Sequence, residues 1–226
     1  MISIIAPAYN EEAVIEDFIK QVIDITRFVF KHEDWELIIV NDGSTDKTRE
    51  KLYQLQAEYP ITIIDHTENY GLGKALETGF RNAKGDIIVT MDADCSHDPK
   101  LILALCQEIV TYGCDVAIAS RYVQGGCMED IPLWRQLASR VGNVVMRTIL
   151  RWPAKDSTSG YRAYRASIVK ELYDLPSGFE VQAVILSRLK DAYIREIPFS
   201  LQNRTAGYSK MQYGKLAMAY LRMLIA

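Results

Sequence analysis

The sequence predicts an α/β fold: a mostly parallel sheet covered by helices on both faces. Three observations predict it. Strand-like and helix-like runs alternate strictly through the first 120 residues. The strand runs are continuously apolar, as in Ile87-Ile88-Val89, which is the pattern of strands buried on both faces. Polar turns rich in acids or glycine close them, as in Asn41-Asp42-Gly43-Ser44, at the sheet edge where open α/β folds bind ligands.

Each element follows in order. Residues 2–6 form a short apolar strand, and 11–30 carry Val14, Phe18, Val22, Ile25 and Val29 at helical spacing. A second strand covers 36–40, and Asp46 caps the helix after it. A third strand covers 61–65, followed by a helix over 71–83 that starts through the glycine pair Gly71 and Gly73. A strand at 86–91, a helix at 100–112 and a strand at 115–120 complete the alternation. Beyond Tyr122 the pattern loosens. Residues 124–130 read as a mobile loop, 133–150 as an amphipathic helix, and 156–162 as a loop too polar and glycine-bearing for a core. One or two helices lie within 166–190 and a late strand at 193–197. A flexible stretch at 203–209 and a terminal helix over 211–226 end the chain. Connections between parallel strands are expected to be right-handed. The 226 residues read as a single domain with halves at 1–120 and 121–226.

Composition narrows the function classes. The chain is 49% hydrophobic and 24% charged, with a net charge of -3. That balance offers no bulk attraction to nucleic acid or anionic lipid. No secretory leader opens the sequence, and no apolar run approaches the ~20 residues that cross a bilayer. The expectation is a cytoplasmic protein, working at a membrane from its surface or through a partner. The spacing of Cys95, Cys106, Cys114 and Cys127 matches no zinc pattern and reads as reduced thiols.

The strongest chemical signal is Met91-Asp92-Ala93-Asp94-Cys95-Ser96. Side chains two apart in an extended chain point the same way, so Asp92 and Asp94 are expected to face one point. Hard oxygen ligands of this kind suit Mg²⁺ or Mn²⁺, with Ser96 as a weaker third ligand. His97 reads as turn-exposed. Weaker signals surround the pair. Tyr9 and Glu11, after the first strand, and Asp42, after the second, suit contacts to a base or ribose, although alone the first segment reads sooner as a turn with a helix-start acid and the second equally as a turn and cap. Gly71-Leu72-Gly73-Lys74 places backbone N–H groups and one cation at a helix start, which favours phosphate. Arg121 ends the fifth strand, Arg135 and Ser139 share one helix face, and Arg204 and Lys210 lie late in the chain.

Pro7–Glu11, Val40–Asp46, Asn69–Ala75, Met91–Pro99, Ala119–Tyr122, Asp156–Tyr164 and Arg204–Lys210 occur in this order in the family-2 glycosyltransferases of GT-A fold, whose sheet is Rossmann-like. The chain resembles their dolichyl-phosphate mannose synthase branch. The resemblance implies nucleotide-sugar contacts at Pro7, Tyr9, Glu11, Val40 and Asp42, and a metal and diphosphate motif at Asp92, Ala93 and Asp94. It implies phosphate contacts at Arg121, Arg204 and Lys210, and an acceptor-phosphate pair at Arg135 and Ser139. Lys74 joins the donor contacts, and Asp94 and Arg121 are the catalytic candidates. Position 96 often carries Gln in this branch, where this chain has Ser96. The Gln-x-x-Arg-Trp string of the processive synthases does not occur.

The implied activity is inverting transfer of a hexose, foremost mannose from GDP-mannose, to a polyprenyl phosphate such as dolichyl phosphate. A UDP-sugar donor, a hydroxyl acceptor and a catalytically silent binding subunit stay open. The implied partners are a nucleotide-sugar donor, a polyprenyl phosphate at the cytoplasmic face of a membrane, and a membrane-anchoring subunit, with no nucleic acid.

Overall fold

The computed structural model describes residues 1–30, 34–129, 133–150 and 154–201. The expected flexible stretch at 203–209, the terminal helix over 211–226, Arg204 and Lys210 lie outside the described residues.

Nine strands and seven helices are described. In chain order the first eight elements are β1 (Ile2–Ala8), α1 (Ile15–Val29), β2 (Trp35–Asn41), α2 (Thr48–Gln56), β3 (Ile61–Asp65), α3 (Leu72–Asn82), β4 (Ile87–Thr90) and α4 (Leu101–Tyr112). There follow β5 (Val116–Ser120), β6 (Cys127–Met128), α5 (Leu133–Leu150), β7 (Arg162–Arg165), α6 (Ala166–Val169), α7 (Val181–Arg188), β8 (Ile194–Pro198) and β9 (Ser200–Leu201). Seven strands form one sheet in the order β3-β2-β1-β4-β7-β5-β8. Every neighbour pair is parallel except those of β7, which runs antiparallel to both β4 and β5.

Strand alternation divides the core. Ile4, Leu37, Ile39 and Val89 face the layer of α1, α2 and α4, where Phe18, Ile19, Leu52 and Leu105 meet them. Ile5, Ile38, Val40 and Ile88 face the opposite layer, against Leu76 and Phe80 of α3 and Ile185 of α7. Both faces are therefore covered, as the unbroken apolar strands require. Each fully buried side chain of this size contributes about 1.5–3 kcal/mol of transfer free energy.

Four expectations are corrected. Residues 11–14 form a turn in which Glu11 O accepts from Val14 N and Ile15 N at 3.0 and 2.9 Å, so the first helix starts at Ile15. Residues 127–128 are not loop: they pair in parallel with Ser200–Leu201 as a separate two-stranded sheet. The polar segment before β7 is core. Asp156, Ser157, Ser159, Tyr161 and Arg162 are all buried, because they satisfy one another rather than water. Arg162 donates to Ser157 O at 2.7 Å and Gln182 O at 2.8 Å. His97 is buried too, stacked on Tyr161 with ring centroids 4.8 Å apart.

The N-cap of α2 is Lys47 rather than Asp46; Asp46 stands one residue earlier, and its Oδ1 accepts from Thr48 N at 2.9 Å. Its Oδ2 also accepts from Glu12 N at 3.2 Å, so the turns after β1 and β2 interlock.

Candidate functional site

The strand order reverses on either side of β1 and β4, which creates a crevice at their carboxyl ends. A cleft of about 660 Å³ opens there. Its near wall is Pro7 and Ala8 at the end of β1, Tyr9 and Glu11 after it, and Asp42 after β2. Asn69, Tyr70 and Gly71 close one end, and Asp92, Ala93 and Asp94 form the floor. Ser177, Gly178, Phe179 and Glu180 make the far wall. Seven of the sequence-derived positions thus meet in one cleft.

Asp42 is held rigidly. Its carboxylate accepts from Tyr70 N at 3.0 Å and Gly71 N at 2.8 Å, and it lies 2.7 Å from His66 Nδ1. His66 Nε2 lies 2.9 Å from Thr78 Oγ1. A carboxylate only accepts, so Nδ1 is the donor in its contact with Asp42. Asp42 therefore supplies the negative charge that the α3 N-terminus favours. Leu72 N donates to Ser177 O at 2.8 Å. The N–H groups of Gly71 and Leu72, expected to cradle phosphate, are engaged by protein. Lys74 does not line the cleft; its ammonium lies 3.3 Å from Glu77. Val40 is fully buried in the core, one residue short of the strand end.

The acidic pair sits in a turn rather than an extended strand. β4 ends at Thr90, and Cys95 takes a φ of 61°. The two carboxylates still reach the same cleft floor. Asp94 is buried, and its Oδ1 accepts from Ser96 Oγ at 2.6 Å and Ser96 N at 3.0 Å. Ser96, expected as a weaker third metal ligand, donates to Asp94 through both its backbone N and its hydroxyl. Asp92, with a side chain 39% exposed, is oriented by His97, whose Nδ1 accepts from Asp92 N at 3.0 Å. Among the described residues no group of three or more His, Cys, Asp or Glu forms a metal cage. Two carboxylates at a cleft floor fit an octahedral divalent ion that keeps waters or takes phosphate oxygens as its other ligands.

A second cluster lies beyond β5. The Arg121 guanidinium grips Asp156 through Nε at 2.8 Å and Nη2 at 2.6 Å, and Nη2 also donates to Thr158 Oγ1 at 2.6 Å. Burial alone would raise the Asp156 carboxyl, but the charge and hydrogen bonds of Arg121 outweigh it and hold the group below the usual carboxylate range. Arg121 also stands 5.3 Å from the Tyr122 ring centroid, and Tyr122 OH is 2.6 Å from Ser139 Oγ. The structure brings Arg121 and Ser139 together through Tyr122; none of the three is among the residues that line the acidic pair's cleft. Arg135 lies within α5, and its side chain falls outside the described set.

Sequence reasoning missed the far wall at 177–180, the Asp156 partner of Arg121, and His66. Leu-Pro-Ser-Gly at 175–178 was the available signal, because Pro-Ser-Gly breaks the helical region where the wall forms.

Residues 3–173 match the model of glycosyl transferase family 2. A dolichol-phosphate mannosyltransferase of Pyrococcus furiosus is 36% identical over 225 residues, 98% of this chain and 62% of that protein. The chain therefore spans less than two thirds of this relative. An undecaprenyl-phosphate mannosyltransferase of Micrococcus luteus is 31% identical over 229 residues, 97% of this chain and 90% of the relative. Among solved structures, glucosyl-3-phosphoglycerate synthase from Mycobacterium tuberculosis, in complex with Mn²⁺, UDP and glucosyl-3-phosphoglycerate, superposes with a TM-score of 0.69. It is 24% identical, over 100% of this chain and 77% of that one, and supports the fold. The mostly parallel sheet, the crevice beside β1 and β4 and the family match agree: the chain belongs to glycosyl transferase family 2, with the GT-A fold.

Proposed function

We propose that this chain transfers a hexose, foremost mannose from GDP-mannose, to a polyprenyl phosphate with inversion at the anomeric carbon. The observation that carries the reading is that the Asp92–Asp94 pair lines one cleft together with Tyr9, Glu11 and Asp42. The names of the two mannosyltransferase relatives support the sugar and the acceptor class. Tyr9 and Tyr70 offer ring faces for a base, and Glu11 an acceptor for ribose or base donors. Asp92 and Asp94 would hold Mg²⁺ or Mn²⁺ against the diphosphate. A bound divalent ion supplies positive charge where the leaving diphosphate develops negative charge.

The acceptor side is assigned to Arg121, Tyr122, Ser139 and Arg135. A phosphate monoester has its second pKa near about 6 and is largely ionised at pH 7, so its oxygen needs orientation more than deprotonation. Asp156 fixes the Arg121 fork for that task. Reaction at a membrane surface, with or without an anchoring subunit, follows from a lipid acceptor. Among the described residues no helix is long and apolar enough to cross a membrane.

One observation favours a second acceptor class. The Glu180 carboxylate belongs to the far wall and would serve as the general base that a hydroxyl acceptor requires.

A thermal-shift panel with GDP, UDP, GDP-mannose and UDP-glucose, each with and without Mn²⁺, tests the donor. Stabilisation by guanine nucleotides alone supports the proposal, and by uracil nucleotides alone replaces the donor. No metal-dependent shift with any of the four refutes it. Turnover of short polyprenyl phosphates but not the free alcohols supports the phosphate acceptor; the reverse, abolished by Glu180→Gln, supports the hydroxyl.

A further inference from the structure

Helix α5 is packed with its polar side inward. Asn143 is buried; it donates to Thr158 Oγ1 at 3.3 Å and accepts from Ser157 Oγ at 2.8 Å. Gln136 donates to Met128 O at 3.3 Å. The apolar residues point away from the domain. Leu137, Val141, Val144 and Val145 are 64%, 52%, 58% and 43% exposed. At positions i, i+4, i+7 and i+8 they are neighbours on one helix face and form a continuous stripe. A surface helix of a globular protein ordinarily turns that stripe to the core, so a stripe shown to solvent marks an interaction site.

Cations flank the stripe. Arg140 and Arg147 are exposed and stand about two turns apart on one side of it. With Lys155, Tyr122 and Val144 they line a pocket of about 420 Å³. Val144 belongs to both, so pocket and stripe are contiguous. The Arg140 guanidinium stands 6.0 Å from the Tyr122 ring centroid. Among the described residues no carboxylate pairs with any of the three cations. Glu196, the acid beside Lys155, accepts from Lys155 N and Asp156 N at 2.8 and 2.9 Å. The whole chain has a net charge of -3, so this cluster is a local reversal of sign.

Together these features select a partner. Three cations around one pocket call for anionic oxygens, phosphate foremost. The centres of protein–protein interfaces favour Tyr, Trp, Phe and Met, whereas this stripe is Leu and Val. An aliphatic helix face edged by arginine is the pattern of a helix lying in the headgroup layer, its apolar side toward the acyl chains.

We propose that the outer face of α5 docks on an anionic phospholipid surface. Leu137, Val141, Val144 and Val145 enter the acyl boundary, and lipid phosphates meet Arg140, Arg147 and Lys155. The inference deepens the polyprenyl-phosphate reading and takes its purpose from it. Ser139, on the same helix, meets Tyr122 OH at 2.6 Å, so a lipid acceptor would reach that cluster from the bilayer on which α5 rests.

Flotation of the full chain with vesicles tests the docking. The vesicles are phosphatidylcholine alone or phosphatidylcholine mixed with phosphatidylglycerol. The wild type is expected to bind the anionic vesicles, and less tightly as salt is raised. Leu137→Ser combined with Val141→Ser and Val145→Ser is expected to bind at least about tenfold more weakly. Arg140→Gln with Arg147→Gln is expected to lose roughly ten- to thirtyfold on the anionic vesicles and to narrow the preference for them. The melting temperature of the triple variant should match the wild type, because the altered side chains are exposed. Equal binding by wild type and triple variant, no vesicle binding by the wild type, or a lower melting temperature in the triple variant would each overturn the inference. So would a wild-type dimer in sedimentation that the triple variant abolishes, which assigns the stripe to a second copy. Turnover keeps the two readings apart. With a short, water-soluble polyprenyl phosphate the triple variant should match the wild type. Stripe-dependent vesicle binding without turnover of any polyprenyl phosphate would uphold the docking and overturn the functional reading.

Discussion

Asp156→Ala removes the buried carboxylate that the half-buried Arg121 guanidinium grips, and its cost can be worked from the contacts. The carboxylate accepts from Arg121 Nε, Nη2 and backbone N at 2.8, 2.6 and 3.0 Å, and from Ser159 N at 3.1 Å. Asp156 is 0% exposed and the Arg121 side chain 13%, so water does not replace what is lost. Thr158 Oγ1 would remain as an acceptor for Nη2, but it is neutral. Breaking one side of a buried ion pair costs about 3–5 kcal/mol. At about 2–4 °C per kcal/mol for a chain of this size, the melting temperature should fall by roughly 6–20 °C. Urea melts followed by far-ultraviolet circular dichroism at pH 7 measure the free energy directly. The double variant Arg121→Met with Asp156→Leu should recover most of the loss, because no charge is left buried. Acid adds a second check. A carboxyl held low in the folded state stabilises fully above its ordinary value of 3.8. That contribution disappears as pH falls through the lower folded value. The gap between wild type and Asp156→Asn should therefore narrow below that pH. A loss from Asp156→Ala under about 1 kcal/mol at pH 7, the scale of exposed pairs, would refute the claim that this pair organises the segment before β7.

Three further outcomes follow from other contacts. Asp94→Ala should abolish the Mn²⁺-dependent part of nucleotide binding by calorimetry while leaving the fold intact; retained metal dependence would remove Asp94 from the metal assignment. Gly71→Ala should destabilise by about 1–3 kcal/mol, because Gly71 has a φ of 92° and an added β-carbon would meet Ser177 O at 2.4 Å. A denaturant midpoint equal to the wild type would contradict that close approach. Burial first, with nearby carboxylates at Cys95, raises the Cys95 and Cys106 thiols to about 11 and 12 and the Cys114 thiol to about 11. Cys127 is exposed, so a thiol reagent at pH 8 should modify Cys127 rapidly and these three slowly, as peptide mapping would show.

The first five strands were legible because their apolar runs are unbroken and their turns carry Gly, Asn or Asp. The acidic pair was legible for the same reason, since Ile87–Val89 marks where the sheet edge must fall. Extended-chain geometry is not what joins the pair: Cys95 adopts a left-handed backbone and the two acids sit in a turn. β7 was hidden because Arg162-Ala163-Tyr164-Arg165 has no apolar alternation. Its burial depends on Asp156, Ser157 and Gln182, which are distant in sequence or polar in their own right. Periodicity reports which residues avoid water and is silent where polar groups replace water for one another. His97 misled in the same way, because a histidine in a turn gives no sign that Tyr161, 64 residues later, will cover it.

The position of β7 has a consequence for how the molecule is made. β1 to β4 pair with one another in the order β3-β2-β1-β4 and are complete once residue 90 has been synthesised. β5 is synthesised next, yet both of its neighbours, β7 and β8, come later in the chain. During synthesis it waits as an apolar strand with two open edges, the state most exposed to wrong pairing. The order of assembly is therefore split: an early half carrying the acidic pair, then a late closure in which residues 156–165 enter between strands already made. Contacts of this separation slow folding, so the rate-limiting event should lie in seating β7. The last structure to form would be the segment that anchors Arg121 and Gln182, and a chain released before that step would have its acidic floor without its far wall.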